Sequence, residues 1–438
     1  MGSTVGVIIL ASGKSQRMGF DKLSLPLFGA KVLENTARLY RNVFSEVIIA
    51  DLTVIPCEAA REGMGGTLRE AVKLIPDSWE GAVIALGDMP FIGQDTLKML
   101  KSAAEKAADQ IITLNYRGRR GHPLYLPRKY FPLLKELSGD HGLRFILPGL
   151  TSLTIETEDY GVLKDLDTPQ EYELYKRLVL VKGAGDIATG IIWRLHQAGF
   201  KVVATELSKP TAIRRPVSFA QAVFTGEHTV EGVTAKKADV LDVPNLLVQG
   251  IVPILPDEEG RIVSLLKPWA VVDARLAKKN LGTKRAEALI VIGVGPGFLA
   301  PEDVHAVIET KRGHYLGRAL YQGAAEPNTG IPGEIGGYSL ERVIYAPAAG
   351  HVQWYYDFGQ KVEAGMPIGK VDGEEIIAPI SGVIRGLIHP EVEVEKGMKI
   401  GDIDPRGIPI YAKTISEKAL AVAGGVLEAL LKLGKASF

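Results

Sequence analysis

The sequence predicts a multidomain α/β protein that closes with a small all-β domain and a helix. Three observations carry this. Short apolar, β-branched runs alternate with amphipathic stretches from Val5 to Leu114, and again from Leu178 onward. Both series open with an apolar run that breaks into a glycine-containing turn. A strand-and-turn pattern then occurs twice between Ala346 and Ile400. The 438 residues allow about three domains at roughly 150 residues each.

Composition narrows the class. Lysine plus arginine equals aspartate plus glutamate at 51 each, so no global basic excess argues for nucleic acid or an anionic membrane surface. The single cysteine, Cys57, excludes an internal disulfide framework and a Cys-rich zinc site, and reads as a part-buried small hydrophobe. Val5–Leu10 is too short for a signal peptide and lacks a basic flank. No apolar stretch reaches about 18 residues. The expectation is a cytoplasmic protein.

The first series is read as follows. Val5–Leu10 is a buried strand. Ala11-Ser12-Gly13 breaks it into a loop of small residues that carries Lys14, Arg17 and Lys22. Small residues let backbone N–H groups approach an anion, and the cations neutralise it. A polyphosphate suits this loop, although the G-x-x-x-x-G-K-[ST] pattern is absent. Val32–Val43 is a helix, 46–50 a strand, Thr67–Leu74 a helix, Ala82–Leu86 a strand, Asp95–Ala107 a helix and Gln110–Leu114 a strand. The alternation predicts a parallel sheet covered by helices, with ligands beyond the carboxyl ends of the strands.

The informative residues fall at those ends. Asp88 follows an apolar strand and has no packing role there. Facing a triphosphate it would hold Mg²⁺, a hard cation that takes carboxylate and phosphate oxygens. Asp167, in Lys164-Asp165-Leu166-Asp167-Thr168-Pro169, is the second candidate ligand. Pro169 starts a helix, so Asp167 or Thr168 could equally be its N-cap. Gly65-Gly66-Thr67-Leu68 opens a helix and reads either as a contact for the nucleotide or as an ordinary cap. Arg117 to Pro123 reads as an anion clamp or as a solvated hairpin.

These strings resemble a known family. L-A-S-G-x-S-x-R-M-G-x-x-K-x-x-L-P, L-G-D-x-P, G-R-x-G-H-P at 118–123, and Ser138-Gly139-Asp140-His141-Gly142-Leu143-Arg144 resemble nucleotidyltransferases that cap a phosphorylated small molecule. The likeness is strongest to the molybdenum cofactor cytidylyltransferase branch. It implies a doubly wound, Rossmann-like domain over 1–177. Arg17, Lys22, Asp88 and Asp167 would be catalytic, with Mg²⁺ on Asp88 and Asp167. Leu10, Ala11, Ser12, Gly13, Lys22, Gly66, Thr67 and Asp88 would bind the nucleotide. Arg119, Gly121, His122, Pro123 and Arg144 would bind the acceptor. Thr67 replaces the family's serine, which leaves CTP and GTP both open as donors. The acceptor phosphate is already an anion, so no general base is required. Positioning and charge neutralisation suffice.

The second series opens with Leu178–Val181, then Gly183-Ala184-Gly185-Asp186-Ile187-Ala188-Thr189-Gly190, then Lys201–Thr205 and Glu206. A glycine-rich turn followed by an acid roughly 20 residues on is the dinucleotide-binding pattern. Gly183, Gly185, Asp186, Thr189 and Glu206 are therefore expected to take a nucleotide or dinucleotide. Asp186 is unusual, since a carboxylate at a helix N-terminus competes with phosphate. Lys209–Arg215, Val272–Asn280, Gly293–Phe298 and His305–Arg318 resemble the accessory protein of the selenium-dependent molybdenum hydroxylase system. That resemblance covers about residue 178 to the C-terminus and implies a molybdenum hydroxylase apo-enzyme as partner. His305 and His314 lack zinc spacing and read as structural.

Residues 338–406 resemble the biotinyl/lipoyl barrel-sandwich fold. The turn joining the halves, Val371-Asp372-Gly373-Glu374, has no lysine, so a static barrel is expected. Ser416 caps a helix to about Leu433, expected to pack on a middle domain of residues 178–337. Together these readings imply CMP transfer from CTP to the molybdenum-loaded pterin cofactor, fused to a hydroxylase-maturation part. The alternatives are guanylyl transfer or another phosphorylated acceptor. From a different class, they are a nicotinamide-dependent oxidoreductase or a non-catalytic cofactor chaperone centred on residues 183–206.

Overall fold

A computed structural model describes residues 4–13, 18–139, 142–143, 149–330 and 333–435. The chain divides into two compact units, Met1–Lys176 with Ser264–Lys267, and Arg177–Val263 with Pro268–Phe438.

The first unit contains β1 (Thr4–Leu10), α1 (Val32–Arg41), β2 (Val47–Ala50), α2 (Cys57–Glu62) and α3 (Met64–Ala71). It continues with β3 (Trp79–Leu86), α4 (Gln94–Lys106), β4 (Ile111–Tyr116), β5 (Arg119–Pro127), β6 (Ser152–Glu156) and α5 (Pro169–Lys176). The sheet order is β2-β1-β3-β5-β4-β6. β1 lies between two parallel neighbours, with Ile8 opposite both Ile48 and Ile84. Val7, Ile8 and Ile9 are buried, as a central strand covered on both faces requires. Leu68, Trp79, Ile84, Leu124 and Leu126 join Ile8 in one core cluster.

The expected all-parallel sheet is instead mixed. β5 runs antiparallel to both β3 and β4. The cause is local. Arg117 and Gly118 both have positive φ, 48° and 80°, and close a two-residue hairpin turn. A turn that short cannot carry the crossover a parallel strand needs. A second difference concerns α3, which begins at Met64 and not Thr67. Gly65 to Thr67 are therefore inside the helix, and Gly66 serves packing. A Cβ there would lie 2.2 Å from the Ala59 carbonyl oxygen of α2.

The second unit carries β7 (Leu178–Lys182), α6 (Asp186–Gln197), β8 (Lys201–Glu206), β9 (Glu227–Val230), β10 (Val233–Lys237) and α7 (Val243–Val248). β11 (Val252–Pro256), β12 (Ala270–Asp273), β13 (Ile290–Val294), β14 (Ala306–Ile308) and β15 (Ala319–Leu320) follow. The sheet order is β9-β10-β11-β8-β7-β12-β13-β14-β15. From β10 to β14 the neighbours pair parallel, and both edge pairs are antiparallel. The chain runs outward from β7 to one side and returns to its other side at β12, so the strand order reverses there. The turn after β7 lies at that reversal.

In the same unit follow β16 (Val343–Tyr345), β17 (Gly350–Trp354), β18 (Lys361–Val362), β19 (Pro367–Val371), β20 (Glu374–Ile377), β21 (Gly382–Leu387), β22 (Glu393–Val394) and β23 (Lys399–Asp404). They form two four-stranded sheets, β16-β23-β21-β18 and β20-β19-β17-β22. Val352, Ile368, Val371, Ile384, Ile400 and Ile403 are buried in one cluster. Helix α8 (Glu417–Gly434) starts at Ser416, whose Oγ accepts from the Ala419 N–H at 3.3 Å. α8 lies close against α6. A Cβ on Gly190 would approach that of Ala419 to 2.7 Å. Among the described residues no helix is long and apolar enough to cross a membrane.

Candidate functional site

In the first unit the carboxyl ends of β1 and β3 are joined by the Gly87 N–H, which donates to the Leu10 carbonyl at 2.9 Å. Asp88 follows directly. Its carbonyl accepts from the Leu166 N–H at 3.1 Å, so the loop bearing Asp165 and Asp167 is tied to the end of β3. Lys22, in a single helical turn capped by Asp21, completes the cluster. Its Nζ donates to Asp88 Oδ2, and to Asp167 Oδ1 at 2.7 Å.

The competition between Asp167 and Thr168 for the cap of α5 is decided by geometry. The Thr168 Oγ1 accepts from the Glu171 N–H at 3.2 Å. The Glu171 carboxylate accepts in return from the N–H groups of Asp167 and Thr168, each at 3.1 Å. This reciprocal box satisfies the helix N-terminus. The Asp167 side chain is thereby left to face Lys22.

The electrostatics follow from two acids on one ammonium, with a third acid, Asp165, near the pair. Burial alone would lower the Lys22 pKa, but Asp88 and Asp167 outweigh it and hold Lys22 above the ordinary lysine value. Burial, reinforced by the charges of Asp167 and Asp88, pushes the Asp165 carboxyl up to about 6. Burial holds His122 below the usual imidazole range against the pull of Asp88, so the ring is neutral at pH 7.

Asp88 and Asp167 fit a divalent cation. They converge on one positive charge, and Asp88 Oδ1 is buried with no hydrogen-bond partner. Among the described residues no three Asp, Glu, His or Cys side chains form a metal cage. A pair of carboxylates is what Mg²⁺ uses when phosphates and water fill its remaining positions.

A cavity of about 860 Å³ lies along the loop after β1, and Lys22, Asp88 and Asp167 are not themselves in its lining. Ala11, Ser12 and Gly13 line it, as do Asp21 and Leu23, the sequence neighbours of Lys22. The Ser12 and Thr67 hydroxyls are 2.8 Å apart, which places Thr67 directly behind the loop. The other candidates distribute unevenly. Gly121 packs against Val162, where a Cβ would lie 2.5 Å from the carbonyl oxygen. Pro123 is buried in β5, and Arg119 is exposed at the start of that strand. Arg17 and Arg144 lie outside the described residues, as do Lys14, Asp140 and His141.

Asp51, Cys57 and Arg61 are among the lining residues that the sequence did not point to. Asp51 directly follows β2, a position the strand-end rule could have flagged. Cys57 and Arg61 stand on the six-residue α2, too short to register as a helix by periodicity. Cys57 is exposed at the cavity, not part-buried as expected. It is the protein's only cysteine and so reports on this wall. Saturating CTP with Mg²⁺ is expected to slow its alkylation by iodoacetamide about tenfold, read by intact-mass spectrometry. An unchanged rate would place the nucleotide elsewhere.

In the second unit the glycine-rich turn is internally braced. Glu206 accepts from the Ala184 and Leu207 N–H groups, each at 2.8 Å. The Thr189 hydroxyl donates to the Ala184 carbonyl and accepts from the Phe219 N–H. A Cβ on Gly183 would lie 3.2 Å from the Arg275 Cα. Gly185, with open space around it, and Asp186 face a cavity. His305 Nδ1 accepts from the Val291 N–H at 2.9 Å.

Comparison with known proteins places the first unit. Residues 7–153 match the family described as "MobA-like NTP transferase domain". An uncharacterized protein of Escherichia coli (strain K12), YqeB, is 50% identical over 258 residues, 59% of this chain and 48% of that protein. The chain thus spans about half the length of that relative. "Purine catabolism protein PucB" of Bacillus subtilis (strain 168) is 29% identical over 39% of this chain and 95% of its own. A "Probable molybdenum cofactor guanylyltransferase" of Natranaerobius thermophilus is 30% identical over 26% of this chain and 60% of its own. Over residues 7–153 the chain is thus similar to MobA-like NTP transferase domains, and it carries a nucleotidyltransferase unit.

Proposed function

We propose that the first unit transfers CMP from CTP to the phosphate of the molybdopterin cofactor, forming the cytosine dinucleotide and releasing pyrophosphate. The observation that carries this reading is the convergence of Lys22, Asp88 and Asp167 at the carboxyl end of β3, next in the fold to the loop after β1. The loop after β1 would cradle the triphosphate on backbone N–H groups, with Thr67 supporting Ser12. A divalent cation, when bound on Asp88 and Asp167, supplies neutralisation of the phosphate oxygens. Lys22 supplies fixed positive charge where charge spreads in the transition state. His122, neutral and close to Asp88, would face the acceptor together with Arg119. The second unit would serve maturation of a molybdenum hydroxylase, taking a nucleotide or dinucleotide at Gly183, Gly185 and Asp186.

GTP is the competing donor, and the name of the Natranaerobius thermophilus relative favours it. Pyrophosphate release by the intact protein, measured with molybdopterin cofactor and Mg²⁺ and either nucleotide, separates the two. Turnover with CTP at least about tenfold faster than with GTP is expected. Equal rates, or a preference for GTP, would overturn the base assignment. A nicotinamide spectral change on adding NAD without any pyrophosphate release would favour the oxidoreductase reading instead.

A further inference from the structure

The second unit contains a cavity of about 360 Å³ that the nucleotidyltransferase reading does not use. The start of α6 forms one wall, with Gly185, Asp186 and Ile187, beside Arg214. The two-sheet domain supplies Arg342, Arg385 and Lys399, and the start of α8 supplies Lys418. Arg312 completes a lining rich in cations.

Some of this charge is matched within the protein. Arg214 pairs with Asp186 at 2.6 Å, and Arg342 with Asp402 at 2.6 Å. Arg312 pairs with Glu417. Asp186 and Asp402 each keep one buried carboxylate oxygen with no hydrogen-bond partner among the described residues, so the lining sets six cations against two acids.

Among the described residues Lys399 and Lys418 make no ion pair, and Arg385 makes only a long one. Arg385 is 7% exposed, and its buried Nε has no hydrogen-bond partner. The nearest carboxylate oxygen, on Asp404, is 3.8 Å away, and Asp404 is already held by Arg406 through two bonds of 2.9 and 2.6 Å. Among the described residues neither Lys399 nor Lys418 donates to a carboxylate. The Nε atoms of Arg214 and Arg342 are also buried without partners. Gly185, the N-cap of α6, makes no side-chain cap bond, and the first turn of this 12-residue helix, through Asp186 and Ile187, lines the same cavity. Burial depresses both the Arg385 and the Lys418 pKa, with neighbouring arginines adding to it. Uncompensated buried charge of one sign is costly, and a counter-charge bound in the cavity would relieve it.

We propose that this cavity binds a phosphate or diphosphate group, held between the N-terminus of α6 and the cations Arg385, Lys399 and Lys418. The group is either a free inorganic anion or the diphosphate of a nucleotide. The second source deepens the nucleotide reading of this unit and rests on it. The first does not.

The test is calorimetric titration of the intact protein with inorganic pyrophosphate and, separately, with CDP, at constant ionic strength. It is run on the parent, on Lys418→Gln and Lys399→Gln, and on Lys22→Ala to remove binding in the first unit. One site is expected to survive Lys22→Ala. Each glutamine variant should weaken that site about tenfold, the size of one charge-assisted hydrogen bond. The anion-free variants should melt at or above the parental temperature, since each removes repulsion, whereas a structural cation would lower it. Tighter binding of CDP than of pyrophosphate assigns the nucleotide as source, and the reverse assigns the inorganic anion. Loss of all pyrophosphate binding on Lys22→Ala, or affinities unmoved by Lys399→Gln and Lys418→Gln, would overturn the proposal.

Discussion

Asp88→Asn is expected to lower Mg²⁺-dependent pyrophosphate release by about a thousandfold, roughly 4 kcal/mol of transition-state stabilisation. The substitution keeps the shape of the side chain and its bond to Lys22. It removes the negative charge that would hold the cation against the phosphates. Asp167→Asn should behave alike, because both carboxylates approach the same ammonium. Asp165→Asn should cost far less, since Asp165 perturbs the pair only through its charge. The fold should tolerate all three. Each removes one of several crowded acids, and the backbone bond from Leu166 to Asp88 does not involve a side chain. Single-turnover rates, paired with thermal melts, check the expectation. A tenfold loss or less for Asp88→Asn at saturating Mg²⁺ would remove it from the reaction.

What the sequence revealed of this site depended on locality. β1, the Asp88 loop and the Lys22 loop are each one contiguous stretch, and a strand end is where an α/β sheet presents side chains to a ligand. The two carboxylates and the lysine were legible for that reason. The cap of α5 was not, because Asp167 and Thr168 both precede Pro169 and both residue types cap helices. Only the reciprocal bonds of Thr168 and Glu171 separate them. Gly66 shows the opposite failure. A glycine beside a ligand and a glycine beside another helix leave the same trace in the sequence, and here the neighbour is Ala59. The antiparallel course of β5 was written in the Arg117-Gly118 turn, but the surrounding alternation outweighed it. The cations of the second cavity come from Arg214, Arg385, Lys399 and Lys418, on separate elements. No local pattern could have joined them.

Replacing Lys22 by methionine is expected to destabilise the protein in a way that depends on pH and on Mg²⁺. At pH 8 the substitution removes the ammonium that Asp88 and Asp167 share, beside an ionised Asp165. Lys22, Asp88 and Asp167 are largely but not wholly screened from water, so the loss should be about 2 kcal/mol, below the range for a fully buried pair. The sign of the pH effect follows from Asp165. Its carboxyl titrates at about 6 in the folded protein against an ordinary value of 3.8, so the native state holds that proton more tightly than the unfolded chain. Stability therefore falls as pH rises from about 4 to about 6 and then levels off. Without Lys22 the penalty should shrink at pH 5, where Asp165 carries a proton and the group holds one negative charge fewer. Millimolar Mg²⁺ should restore most of the loss at pH 8 and little at pH 5, because cation and proton compete for the same oxygens. Urea unfolding at the two pH values, with and without MgCl₂, measures all four quantities. A loss equal at both pH values and indifferent to Mg²⁺ would mean that Lys22 only packs against its neighbours.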